Sequence, residues 1–146
     1  MGKRSKGREL LLQAMYASRL SDRNLTDCLE EQLARRESGD ETTEFARQLG
    51  RLVINHGDEL EQTIGPLLAN WDLKRVGLLE KQILTLGLVE LNHCPEVPFR
   101  VVINEACELA RSFCDEGAVK FINGILDRAA SGIKRDDASA KGADQS

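Results

Sequence analysis

The chain has 146 residues, of which 41% are hydrophobic and 4% aromatic, and a formal charge of −4. That length suits one compact domain with a real core and is short for two ordinary ones. No apolar run approaches the roughly 18 residues of a membrane span, and the N-terminus lacks a signal-peptide core, so the expectation is a cytoplasmic protein without membrane contact.

The apolar residues are mostly Leu, Ile, Val and Ala, with only three prolines, which favours an all-α chain. Charge is unevenly placed. Lys3, Arg4, Lys6 and Arg8 occupy MGKRSKGR without one acid, leaving −8 for everything after residue 8. Residues 1–8 therefore read as a basic arm that runs directly into the first helix, a local signal for an anionic partner on an otherwise acidic protein. A solvated, frayed terminus is the competing reading.

In chain order, Leu11, Leu12, Met15, Tyr16, Arg19 and Leu20 follow i, i+3, i+4 spacing and predict a helix over about 4–20. Ser21, Asp22 and Asn24 supply a break and a cap before a second helix, carried by Leu25, Cys28, Leu29 and Leu33 and ending near Glu37. A third, with Phe45, Leu49, Leu52 and Val53 inward, is expected to stop at Gly57, leaving His56 at a helix end; Asp58 and Glu61 look like a capping-box restart. The fourth is short because Gly65 and Pro66 disturb it, and the lone Trp71 reads as a core plug.

From about Asp72 to Leu91 the apolar arc is so wide that the fifth helix should be central and largely buried. Pro98 is placed to start the sixth at Phe99, with Val102, Ile103, Ala106, Cys107, Ala110 and Phe113 inward. Gly117 separates it from a seventh, about Ala118 to Gly132. The tail, residues 134–146, has no large apolar side chain and reads as disordered.

Chemistry is hard to find. There is no phosphate-cradling glycine motif and no nucleophile elbow, and the two histidines stand in separate stretches without a triad partner. His93 and Cys94 lack the further ligands of a metal site, and Cys107 and Cys114, about 10 Å apart in helical rise, cannot bridge one another. The cysteines read as buried thiols. The expectation is a binding protein with no catalytic residue, metal or cofactor.

Three blocks carry a resemblance: RSKGRELLLQAMY (Arg4 to Tyr16), LLEKQILTLGLVEL (Leu78 to Leu91), and VPFRVVINEACELARSF followed by VKFINGILDRAA (Val97 to Ala130). In that order they resemble the NusB family of bacterial transcription antitermination factors, over about residues 4–132. The resemblance implies about seven helices in two small packed helical bundles, with residues 4–133 as an RNA-binding domain. It implies binding of boxA-type single-stranded RNA in nascent ribosomal transcripts. The implied partners are NusE, the small-subunit ribosomal protein, and indirectly other Nus factors and RNA polymerase.

Beside it stands the physical reading of the residues. Lys3, Arg4, Lys6 and Arg8 can neutralise phosphates, with Gly2 and Gly7 loosening the arm, and Tyr16 or Phe121 can offer a face on which a base stacks. Lys120, Phe121, Asn123 and Gly124 belong to the family-like KFINGILD stretch; Gly124 there serves either close helix packing or close approach of a ligand, Asn123 a buried bond or a ligand contact, and Phe121 the core or a base. Glu80 and Lys81 match a pair near the NusE-binding side of family members. Asn104 and Glu105 match the I-N-E-A motif, where a structural role near a helix start is the simpler reading. Thr85, Val89 and Gly117 to Val119 depart from the family pattern. Competing readings are a protein-interaction scaffold or homodimer without direct RNA binding, and the NusB-like domain of an RNA cytosine methyltransferase.

Overall fold

A computed structural model describes residues 2–68 and 76–133. Trp71, the expected start of the fifth helix near Asp72 and the tail from 134 onward lie outside them. Among the described residues there are seven helices and no strand: α1 (Lys3–Ser21), α2 (Leu25–Arg35), α3 (Asp40–Glu61), α4 (Ile64–Leu67), α5 (Leu78–His93), α6 (Phe99–Phe113) and α7 (Glu116–Gly132). None is long and apolar enough to cross a membrane. The chain divides into two compact units, Met1–His56 and Gly57–Ser146.

The first unit is built from α1, α2 and most of α3. Asp22 takes a left-handed φ of 57° that ends α1, and Asn24 caps α2 by accepting from the Asp27 amide at 2.8 Å, as the Ser-Asp-Asn break predicts. Glu37, at φ 48°, turns the chain toward α3. The α1 core face is Leu10, Leu11, Leu12, Ala14 and Met15, one step round from the expected stripe, so Tyr16 and Leu20 emerge into solvent. Leu29 of α2 and Leu11 of α1 converge on Gly50 of α3, where an added Cβ would lie 3.0 Å from Leu29.

Two glycines correct the sequence reading. Gly57 does not end the third helix; no described glycine has a positive φ, and α3 runs through His56 and Gly57 to Glu61, so the expected restart at Asp58 does not occur. Gly7 does not loosen an arm either. It is buried in α1 against α3, where a Cβ would meet the Phe45 ring at 3.0 Å and the Thr42 carbonyl oxygen at 3.3 Å. Thr42 Oγ1 also donates to the Lys3 carbonyl at 3.2 Å, tying the first turn of α1 to α3.

In the second unit α5 is central: every residue from Gln82 to Leu91 is buried, with α6 and α7 packed against it. Such a helix needs neighbours on several sides, which is why its apolar arc is so wide. It meets α7 at Gly87, where a Cβ would fall 2.9 Å from Leu126 Cδ1. Pro98 precedes α6 as expected, and Asp115 caps α7 through the Ala118 amide at 2.8 Å, so Gly117 lies inside the helix. Cys28, Cys94 and Cys107 are buried and Cys114 half-buried, all free thiols, and burial raises the pKa of both Cys107 and Cys114. Among the described residues no group of acids, His and Cys could hold a metal.

Gly124 and Gly87 should respond oppositely to the same substitution. A Cβ at Gly124 meets nothing within 4 Å among the described residues, so Gly124→Ala should gain about 0.5–1 kcal/mol from helix propensity. Gly87→Ala must displace the fully buried Leu126 and should lose about 1–3 kcal/mol. Urea unfolding midpoints of the two variants at unchanged slope check both signs.

Candidate nucleic-acid interface

The basic residues at the start of the chain are helical from Lys3 onward, which spaces them by the α-helical repeat. Arg4 and Arg8, four apart, share a face, and each guanidinium carbon lies 4.9 Å from the centroid of the Phe45 ring. Arg8 is only 3% exposed and holds this corner together, whereas Arg4 is exposed. Lys3 pairs with Glu41 at 3.1 Å in a largely exposed geometry, and Lys6 with Glu9 at 2.9 Å.

This end of α1 is electrostatically unusual. The N-terminus of a helix carries partial positive charge and favours acids, yet the first turn of α1 has none, and Gly2 provides no side-chain cap. Lys3, Arg4 and Lys6 stand there instead, the two lysines with Glu41 and Glu9 as their partners.

Two further ion pairs involve α2. Arg47 makes two hydrogen bonds to the Glu30 carboxylate, at 2.8 and 2.6 Å, and holds its pKa below the ordinary range. Arg23 does the same for Glu31. Both pairs are about half exposed, so their contribution to stability is small.

In the second unit α7 brings some of the expected residues together and separates others. Lys120 and Gly124 are exposed and continue at the same spacing to Arg128, which sequence reading did not single out although the i, i+4 repeat was there to see. The three line a recess of about 340 Å3 with Gly117, Phe121 and Ile125. Arg128 donates to the Leu67 carbonyl at 2.8 Å, which fixes its position. Among the described residues nothing lies within 4 Å of a Cβ at Gly124, so close packing against another described helix is not its role.

Phe121 is 6% exposed and packs in the core, presenting little of its ring for stacking. Tyr16, at 39%, has an open face. Asn123 is exposed rather than buried and turns to a different side of α7 from Gly124, into a recess of about 500 Å3 shared with α6. Two adjacent candidates thus serve different surfaces.

Glu80 and Lys81 sit half-buried in the first turn of α5. Glu80 folds back beside Gly77 at the helix start, and Lys81 Nζ lies 3.9 Å from Glu61 Oε1. Phe45, the ring on which two arginines converge, reads from the sequence only as a core residue. Nothing in its apolar spacing marks it as a cation partner.

The NusB family profile matches residues 5–131. The transcription antitermination protein NusB of Myxococcus xanthus is 36% identical over 139 residues, covering 92% of this chain and 99% of that protein. Among solved structures, T. maritima NusB superposes with a TM-score of 0.78 at 28% identity over 90% of this chain and 92% of its own. One chain of the crystal structure of antitermination factors NusB and NusE in complex with dsRNA shares the fold, with a TM-score of 0.82 at 24% identity, covering 91% of this chain and 99% of that one. With a match spanning nearly the whole described helical region, the chain belongs to the NusB family.

Proposed function

We propose that this chain is a non-catalytic transcription antitermination factor of the cytoplasm. It binds boxA-type single-stranded RNA in nascent ribosomal transcripts together with NusE, and reaches RNA polymerase through other Nus factors. The observation that carries this reading is the first turn and a half of α1, where Lys3, Arg4 and Lys6 oppose the helix dipole, Arg4 over the Phe45 ring and the lysines in pairs with Glu41 and Glu9 that phosphates would have to displace. A family member of the same fold has been solved with NusE and with RNA, there double-stranded, which supports both partner classes.

In this reading Lys3, Arg4 and Lys6 contact phosphates, Arg8 positions the helix end, and Tyr16 offers a stacking face. On α7, Lys120 supplies a further cation, and Gly124 leaves the helix surface bare so that a ribose-phosphate backbone can lie close. Phe121 supports that surface from beneath, and Asn123 adds a hydrogen-bonding group on the neighbouring face. Glu80 and Lys81 form part of the NusE contact, the half-buried start of α5 giving them a fixed orientation.

Deleting residues 1–8 would remove the buried Gly7 and Arg8 with the exposed cations, so the triple variant Lys3→Gln, Arg4→Gln, Lys6→Gln is the better test. Its affinity for fluorescent boxA RNA should fall, and the slope of log K against log salt should flatten by about 2, roughly 0.7 for each phosphate that the variant leaves unneutralised. An unchanged slope rules this helix end out as the phosphate site. A duplex titrated in parallel separates single-strand preference from general charge attraction.

Gly124→Ala, expected to fold at least as stably as the parent chain, should weaken RNA binding about tenfold if the backbone lies against α7, as a blocked close approach requires. Unaltered affinity by anisotropy would show that the RNA passes elsewhere.

A further inference from the structure

The recess between α6 and α7 is a second surface with its own chemistry. Arg100 and Asn104, four apart on α6, face Asn123 and Asp127, four apart on α7, and the half-buried ring of Phe99 forms part of the wall. Its volume of about 500 Å3 falls in the range of sites that take one small ligand group.

The polar groups here are not consumed by the fold. Among the described residues, Arg100, Asn104 and the Asp127 carboxylate have no ion-pair or hydrogen-bond partner. The Cys107 thiol lies 3.9 Å from Asn123 Oδ1 and occupies the acceptor side of that carboxamide, leaving its two N–H donors for a ligand. Ser131 is turned back to the Asp127 carbonyl at 3.0 Å.

The recess therefore offers a carboxylate that only accepts, beside a guanidinium and an amide that donate. The carboxylate repels a phosphate, so this is not an extension of the backbone track. It fits a flat group carrying two adjacent donors on one edge and acceptors next to them. Among RNA bases guanine has that pattern: N1–H and N2–H to donate, O6 and N7 to accept.

We propose that this recess holds one unstacked guanine of the bound RNA, its N1–H and N2–H on Asp127 and its O6 and N7 on donors from Asn123 and Arg100, against the Phe99 side of the wall. The inference rests on the RNA-binding reading and adds to it a place where sequence is read rather than charge. Single-stranded RNA is generally recognised in this way, by splayed bases hydrogen-bonded on their edges.

The test replaces each guanosine of the boxA RNA in turn by inosine, which lacks the N2 amine, and measures affinity for the full chain and for Asp127→Ala. At one position the wild-type chain should bind the inosine RNA roughly tenfold more weakly, since one hydrogen bond to a carboxylate is removed. Asp127→Ala should bind both RNAs equally at that position while keeping the wild-type salt slope. Asn104→Ala, with circular dichroism to show that the helices are intact, should weaken the guanosine RNA less than Asp127→Ala does.

Equal discrimination by wild type and Asp127→Ala, or no inosine-sensitive position at all, overturns the proposal while leaving RNA binding by α1 standing. Loss of NusE binding with base preference intact assigns the recess to a protein and likewise overturns it. Failure of the wild-type chain to bind any of the RNAs overturns both this inference and the function on which it rests.

Discussion

A helix buried from Gln82 to Leu91 can exist only where neighbours cover it on several sides, and much of the second unit follows from that requirement. Apart from Gln82, Thr85 and Glu90, the buried side chains of α5 are aliphatic, so most of its packing depends on shape rather than directed bonds. Gly87 is where shape matters most: without a side chain there, the fully buried Leu126 of α7 fills the space. Once Leu126 is seated, the register of α7 is set. That register decides which of its residues face outward, and Lys120, Asn123, Gly124 and Asp127 are on the surface because Phe121, Ile122, Ile125 and Leu126 are not.

Seating α7 in this way divides its exposed side. Lys120, Gly124 and Arg128 follow one line, while Asn123 and Asp127 follow another toward α6. The first line is cationic and smooth, suited to a backbone of repeating charge. The second is mixed in sign and rich in hydrogen-bonding groups, suited to a defined edge. A single helix thus presents two chemistries about a third of a turn apart.

The wide apolar arc of α5, the Asn24 cap and the Pro98 start could be read from the residues because each reflects a local rule that the fold obeys. The glycines were less legible, since a glycine's effect depends on what approaches it. Gly57 sits inside a helix, Gly7 is pressed against Phe45 and Thr42, and Gly124 faces open space, yet nothing in their flanking residues separates these cases. The N-terminal cations were visible as a cluster, but their helical presentation and the part played by Phe45 depend on a contact between residues some forty positions apart. Of the KFINGILD candidates, the sequence pattern left Phe121 between the core and a base, and the structure places it in the core; the separation of Asn123 from Gly124 needed the helix register.

Phe45 has one more effect. A free arginine samples many rotamers and forfeits about 2 kcal/mol of that freedom when a partner immobilises it. With Arg8 buried and both guanidiniums held over one aromatic ring, much of this ordering has already occurred when the chain folds. The two guanidiniums are thus held at a fixed spacing, an arrangement that would favour anions by the geometry of their charges rather than by number alone.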